Sequence, residues 1–230
     1  MCFSATANFV GSGVLDTAGV VTLTRVKHRR EALFAALPLL FAIHQFIGGF
    51  GWLGLDGILS PAVAHDMGAA FMFYAQGLLP FLAPLSIFLF EPNKKSRHRM
   101  LPFVVLGGAT TLYILWALTA FPLQLYVKQN SIVYINQGTN NTPVAVVYLV
   151  VICGALFFSE IKMMVVFGAA NLAILLIVVA VKRYAFTSVW CAYAAVSVII
   201  LVFFWRSHEE RPFSIGSSVV SSRASIACVR

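Results

Sequence analysis

The sequence predicts an all-α fold: a polytopic membrane bundle of about seven transmembrane helices, with its N-terminus outside and its C-terminus cytoplasmic. Three observations predict it. Of 230 residues, 60% are hydrophobic and only 10% charged, whereas soluble domains run at about 25% charged and 45–50% apolar. The apolar residues fall into long uninterrupted runs, most of them near the ~20 residues a helix needs to cross a bilayer. The basic residues, which leave a net charge of +8, cluster in short segments beside those runs, the pattern that orients membrane helices. That placement explains the charge better than nucleic acid does. No Walker loop, dinucleotide fingerprint or zinc-finger spacing is present, so the cofactor stays open.

The expected spans are about 6–24, 33–55, 68–90, 101–121, 144–159, 163–181 and 185–205. The fifth is short, which leaves a six-span arrangement as the main rival, and SEIK (159–162) becomes a tight turn into the sixth. RVKHRRE (25–31), EPNKKSRHR (91–99) and RSHEER (206–211) follow spans 1, 3 and 7; placing all three in the cytoplasm sets the orientation. Lys182 and Arg183 break the rule. The opening MCFSATANFV lacks a basic start, so the first span is expected to act as its own insertion signal. Between spans 4 and 5, residues 122–143 form an outer loop. Within it LQLYVKQNSIVYIN (123–136) alternates in the manner of a hairpin turning around Asn130-Ser131. Asn140-Asn141-Thr142 in the same loop is a glycosylation triplet at Asn140. Residues 206–230 are basic and Ser-rich and read as a disordered cytoplasmic tail.

MCFSATANF at the start, PLLFAIHQFIGGFGWLGL (38–55) and KRYAFTSVWCAYAA (182–195) resemble an uncharacterised family of small multi-pass membrane proteins. Its members begin close to MCFSATASF and end with a YAFVSVWCFFAA-like last helix. The resemblance runs through residues 1–205 and implies a seven-helix membrane protein without implying an activity. This chain also departs from it. Where relatives carry Gln-Gln-x-x-Glu-Gly in the second span, it has His44-Gln45-Phe46-Ile47-Gly48-Gly49. A function that needed that intramembrane Glu is in doubt here.

Polar residues at membrane depth are the candidate ligand- or ion-binding set: Asp16, His44, Gln45, Gln76 and Asn171. An Asp at a helix centre costs roughly 2.5–3.5 kcal/mol on insertion scales, so it is expected to face protein or a wet cavity. Spans 1 and 2 share a short loop, and counting from it leaves Asp16 and His44 at depths differing by roughly 6 Å. An Asp16–His44 pair is therefore expected, either as a proton- or cation-handling site or as a hydrogen bond that holds helices together. GGFGWLG (48–54) and the Pro80/Pro84 pair suit a cavity lining or ordinary close packing and kinks. The four cysteines form no CxxC pair. Cys2 and Cys191 are both expected near the outer side, where a disulfide can form, free thiols being the alternative.

Two function classes compete. The first is a transporter or ligand-sensing protein for a small molecule, proton or cation, in the plasma membrane or an endomembrane, with the lipid bilayer as its partner. The second is an intramembrane enzyme acting on lipid. His44 and His65 are the only histidines expected in the outer half, too few for a three-His zinc centre, so neither catalytic nor metal residues are assigned. A non-catalytic accessory subunit is a third reading. No lysine occupies the middle of the last span, which argues against a retinal pigment.

Overall fold

The computed structural model describes residues 4–182; the segment 185–205, the tail, Cys2 and Cys191 lie outside them. The chain is mostly helical. Helix α1 (Ala5–Leu23) is followed by α2 (Ala32–Leu55), then by α3 (Pro61–Met72), a π-helical turn (Phe73–Leu78) and α4 (Leu79–Phe90), which together form one continuous rod. Helix α5 (Lys94–Ala120) leads into the hairpin β1 (Gln124–Lys128) and β2 (Ser131–Ile135), and α6 (Thr142–Phe157) and α7 (Lys162–Lys182) are the last elements among the described residues. Among the described residues, Ala32–Leu55, Pro61–Phe90 and Lys94–Ala120 are long and apolar enough to cross a membrane. Helix α1 is 19 residues long, but its Asn, Ser, Asp and Thr residues keep it out of that group.

Local sequence signals set the boundaries. Ser4 caps α1, its Oγ accepting from the Ala7 N–H at 3.2 Å. Pro61 opens α3, where its missing N–H costs nothing; the third rod therefore starts well before residue 68. Likewise α5 starts at Lys94 and not near 101, because Asn93 Oδ1 accepts from the Lys95 N–H at 2.8 Å. The charged turn KKSRHR is thus helix that projects past the apolar run. Asn141 Oδ1 accepts from the Val144 N–H at 3.0 Å and starts α6. The hairpin turns at Gln129-Asn130 and not at Asn130-Ser131. Both turn residues have positive φ, 47° and 56°, the backbone of a two-residue type I′ turn, and Lys128 pairs with Ser131.

Consecutive helices pack on one another, and one central apolar cluster draws on every helix but α3. It joins Leu15 of α1, Phe41 and Ala42 of α2, Tyr74, Leu79, Ile114 of α5, Tyr148 and Ile152 of α6, and Leu175 of α7. The α1–α2 seam is built from small residues. Asn8, Gly11, Ser12, Leu15, Gly19 and Thr22 form the buried face of α1, recurring every three to four residues. Ser12 Oγ donates to the Ala42 carbonyl and Thr22 Oγ1 to the Ala35 carbonyl, both at 2.8 Å. Such interfaces let backbones approach closely. At Gly19 a Cβ would lie 2.7 Å from the Leu39 nitrogen.

The π turn runs into Pro80 and leaves one carbonyl to be satisfied from outside the rod. Pro80 has no N–H, so the carbonyl five residues before it, that of Ala75, cannot be satisfied in the π register. The Leu79 N–H already goes to the Tyr74 carbonyl. Tyr148 on α6 supplies the missing donor: its hydroxyl donates to the Ala75 carbonyl at 2.6 Å. Helix α5 closes over the same place through Gly107, where a Cβ would collide with the Pro80 carbonyl oxygen.

Two measurements test this packing. Gly19→Ala should lower the thermal midpoint of detergent-purified protein, with a cost on the order of 1–3 kcal/mol for overpacking. Gly13→Ala on the same helix, with nothing within 4 Å of its Cβ, should be neutral or gain up to about 1 kcal/mol from helix propensity. Tyr148→Phe should cost about 1–3 kcal/mol by orphaning the Ala75 carbonyl; an unchanged midpoint would show that the carbonyl has another donor.

Candidate functional site

Burying an amide or imidazole without a hydrogen-bond partner costs about 1–3 kcal/mol, so such groups are uncommon in a folded core. One set gathers where α1, α2 and the third rod meet, toward the end of the bundle that carries the hairpin. His44 and Gln45 of α2 are completely buried. Among the described residues, neither His44 nitrogen and neither polar atom of the Gln45 amide has a hydrogen-bond partner. Asn8 of α1, 1% exposed, donates through Nδ2 to the Ser4 carbonyl at 2.9 Å, while its Oδ1 is left without a donor.

These groups are neighbours. At 100° per residue, Gly48 lies one turn beyond His44 and Gln45 and, in angle, between them. A Cβ at Gly48 would sit 3.2 Å from Asn8 Oδ1 and 3.2 Å from the Phe71 ring. Asn8 Oδ1 therefore faces α2 directly over the His44–Gln45 pair, and only a glycine lets it approach. The His44 ring lies against Phe71, centroids 3.9 Å apart, and against Tyr74 at 4.7 Å. Phe71 in turn stacks on Tyr134 of β2 at 4.9 Å with the rings parallel. Ile132 and Tyr134 belong to the apolar cluster that includes Trp52, Phe71, Met72 and Ala75, so the hairpin roofs the polar set. The result is a closely packed set of buried donors and acceptors against aromatic rings, beneath the β-hairpin.

The expected site residues separate in space. His44 and Gln45 come together as adjacent buried groups, but the Asp16–His44 pair does not form. Asp16 and Thr17 are exposed, because the α1 face that meets α2 is the one bearing Leu15 and Gly19. The depth estimate placed Asp16 within roughly 6 Å of His44 along the bundle and could not give its direction around the helix. Gln76 is half-buried in the π turn, and Asn171 is buried on α7. Asn140 is exposed, yet its side chain is engaged, with Nδ2 donating to the Tyr134 carbonyl at 3.2 Å and Oδ1 accepting from the Asn136 N–H at 3.3 Å. His65 is on α3, its Nδ1 3.5 Å from Asp66 Oδ1 in an exposed pair. No group of three or more metal-ligating side chains occurs among the described residues.

Among the buried polar residues that the sequence reading did not single out, Asn8 and Glu91 matter most here. Asn8 lies near the start of the first span and was not counted at membrane depth; its place within an otherwise small and apolar run was the available signal. Glu91 sits at the opposite end of the bundle, 1% exposed, in what reads as a charged loop. Its Oε2 accepts from Ser159 Oγ at 2.6 Å and from the Glu160 N–H at 3.3 Å, and its Oε1 from the Asn93 N–H at 3.3 Å. Ser96 Oγ donates to Glu160 Oε1 at 3.2 Å. The α4–α5 and α6–α7 turns are thereby clasped together. Ser159→Ala should lower stability by about 1–2 kcal/mol, read as a drop in thermal midpoint, and no drop would mean that the clasp contributes nothing.

A model described as a family of unknown function (DUF6629) matches residues 1–215, and the chain belongs to that family. No curated protein and no solved structure matches it.

Proposed function

We propose that the chain is an integral membrane protein of about seven spans that binds a small ligand among Asn8, His44 and Gln45, as a transporter or a ligand sensor. The observation that carries this reading is the cluster of buried, unpartnered polar atoms on three neighbouring side chains. Structural polar residues in a bundle are used as glue and find partners across the seam, as Ser12, Thr22 and Tyr148 do here. The His44 and Gln45 groups do not, and intramembrane polar residues of that kind mark substrate or ion pathways.

Membrane insertion is supported by the outward faces. Leu101, Val105, Leu112 and Trp116 form an exposed stripe along α5, and Val166, Leu176 and Ile177 are exposed on α7. Contiguous apolar surface of this kind suits lipid. Arg25, Lys27, Arg29 and Arg30 follow α1, and Lys94, Lys95, Arg97 and Arg99 open α5, all at the end away from the hairpin. The positive-inside rule then puts that end in the cytoplasm and the hairpin outside. On this reading the hairpin is the outer roof of the site, and Asp16 faces away from it.

A binding role makes a prediction that a structural role does not. Gln45→Leu removes an unsatisfied buried amide and keeps the shape, so it should raise the thermal midpoint of the ligand-free protein by an amount equivalent to about 1–2 kcal/mol. Residues kept at a cost to stability are the mark of a functional site. A fall of the midpoint would show that Gln45 holds the bundle together, and the proposal would be lost.

A further inference from the structure

Resting on the reading of the chain as a membrane protein of about seven spans, we infer that the outward face of α1 is a docking face within the molecule. Its occupant is the apolar segment 185–205 of the same chain, which packs on α1 and brings a hydroxyl to Asp16. Each described helix packs on the next along the chain, and α1 packs chiefly on α2. Its other side is open: Thr6, Val10, Thr17, Val20 and Thr24 are exposed, at the spacing that lines up one helix face. Gly13 falls on the same face, and an alanine there would stand no higher than the Val and Thr side chains around it. Asp16 lies at the edge of this face, exposed and without a hydrogen bond or ion pair among the described residues. Lipid suits the valines, but a carboxylate in mid-helix is costly against lipid and normally faces protein or water. The face calls for a neighbour that carries a donor.

Position, length and register select the segment. Ser159, just before α7, is held to Glu91 at the end of the bundle away from the hairpin, so α7 runs from there and finishes at Lys182 toward the hairpin end. Helix α1 starts at that same end, since Ala5 packs against the cluster of Trp52, Phe71 and Tyr134. Leu15 of α1 and Leu175 of α7 share the central cluster, so the two ends of the row of helices curve toward one core. A chain that turns back after Lys182 therefore runs parallel to α1. As a helix 185–205 rises about 30 Å, close to the roughly 28 Å of α1. Counted from the shared end, Asp16 lies about 17 Å down α1, and Tyr193 and Ser197 about 12 Å and 18 Å down the segment. These two stand one turn apart and carry the only hydroxyls between 189 and 205. A second copy docked symmetrically on the same face would instead bring another Asp16, and like charge, to the seam.

Disulfide trapping in the full chain, reconstituted in sealed vesicles, tests the docking. With Cys2, Cys153 and Cys228 changed to Ser, Val10→Cys is paired with the native Cys191, and Thr17→Cys is paired with Ser197→Cys in a Cys191→Ser background. Both pairs are level by the same count, and a disulfide needs Cα atoms within about 7 Å. Val10→Cys with Ser197→Cys, also in the Cys191→Ser background and about 10 Å out of level, is the control. Under a mild oxidant the two level pairs should close within one chain and the control should stay reduced. Cross-linked dimers from Thr17→Cys alone would give the face to a second copy, and no bond in either level pair would give it to lipid; either result overturns the inference. Labelling of the Ser197→Cys thiol by a membrane-impermeant maleimide from either side would remove the membrane reading of the segment as well, whereas protection without a bond removes only the docking. The hydroxyl contact has its own readout. Tyr193→Phe/Ser197→Ala should lower the thermal midpoint of the wild type and leave that of Asp16→Leu unchanged; equal drops in both would show that Asp16 meets neither hydroxyl.

Discussion

Inside an apolar bundle each backbone carbonyl has to find a donor from protein, and the Ala75 carbonyl finds its donor on a different helix. Pro80 removes the N–H that would have closed the π turn, and the Tyr148 hydroxyl replaces it at 2.6 Å. The third rod then stays continuous through a helical defect, with α6 fixed against it. Gly107 lets α5 close on the Pro80 carbonyl at the same level. The widened turn carries Tyr74, and the turn before it Phe71, so both rings that lie against His44 are close along the rod to this bond. π turns recur at functional sites for this reason: they re-aim side chains without breaking the helix.

The seam between α1 and α2 works on the opposite principle, by closeness of backbone. Small residues on α1 give Ser12 and Thr22 direct reach to carbonyls of α2, and the same close approach brings Asn8 over Gly48. Gly54 repeats the pattern toward α3, where a Cβ would lie 2.6 Å from the Ala64 nitrogen. The hairpin end of the bundle is thus tightly drawn around three polar side chains, while the opposite end is secured by the buried Glu91 clasp.

Helix number and type along the described chain were legible because apolar runs of that length leave few alternatives. Helix starts were less so. The polar stretch AHD hid the first turns of α3, and the charges of KKSRHR hid those of α5, although Pro61 and Asn93 are ordinary start signals. Of the candidate site, His44 and Gln45 were legible as polar residues within an apolar run, and both are buried. Their relation to Asp16 was not, since depth comes from counting along the chain and direction from which face packs. In a membrane-type seam the buried stripe is made of small residues, here Gly11, Ser12 and Gly19, so reading the large apolar residues as the inner face turns α1 the wrong way. The Tyr148–Ala75 bond joins residues 73 positions apart, and no local pattern announces it.

Phe71 touches both the imidazole of His44 and the ring of Tyr134 in the hairpin. One ring therefore belongs to the floor and to the roof. Any event that shifts Phe71 on one side changes the free energy of the contact on the other, and thermodynamic reciprocity requires the influence to run equally in both directions. A two-stranded ribbon is weakly stable by itself, so this one is poised to register such a shift. The hairpin and the buried imidazole are thus linked through a single aromatic ring.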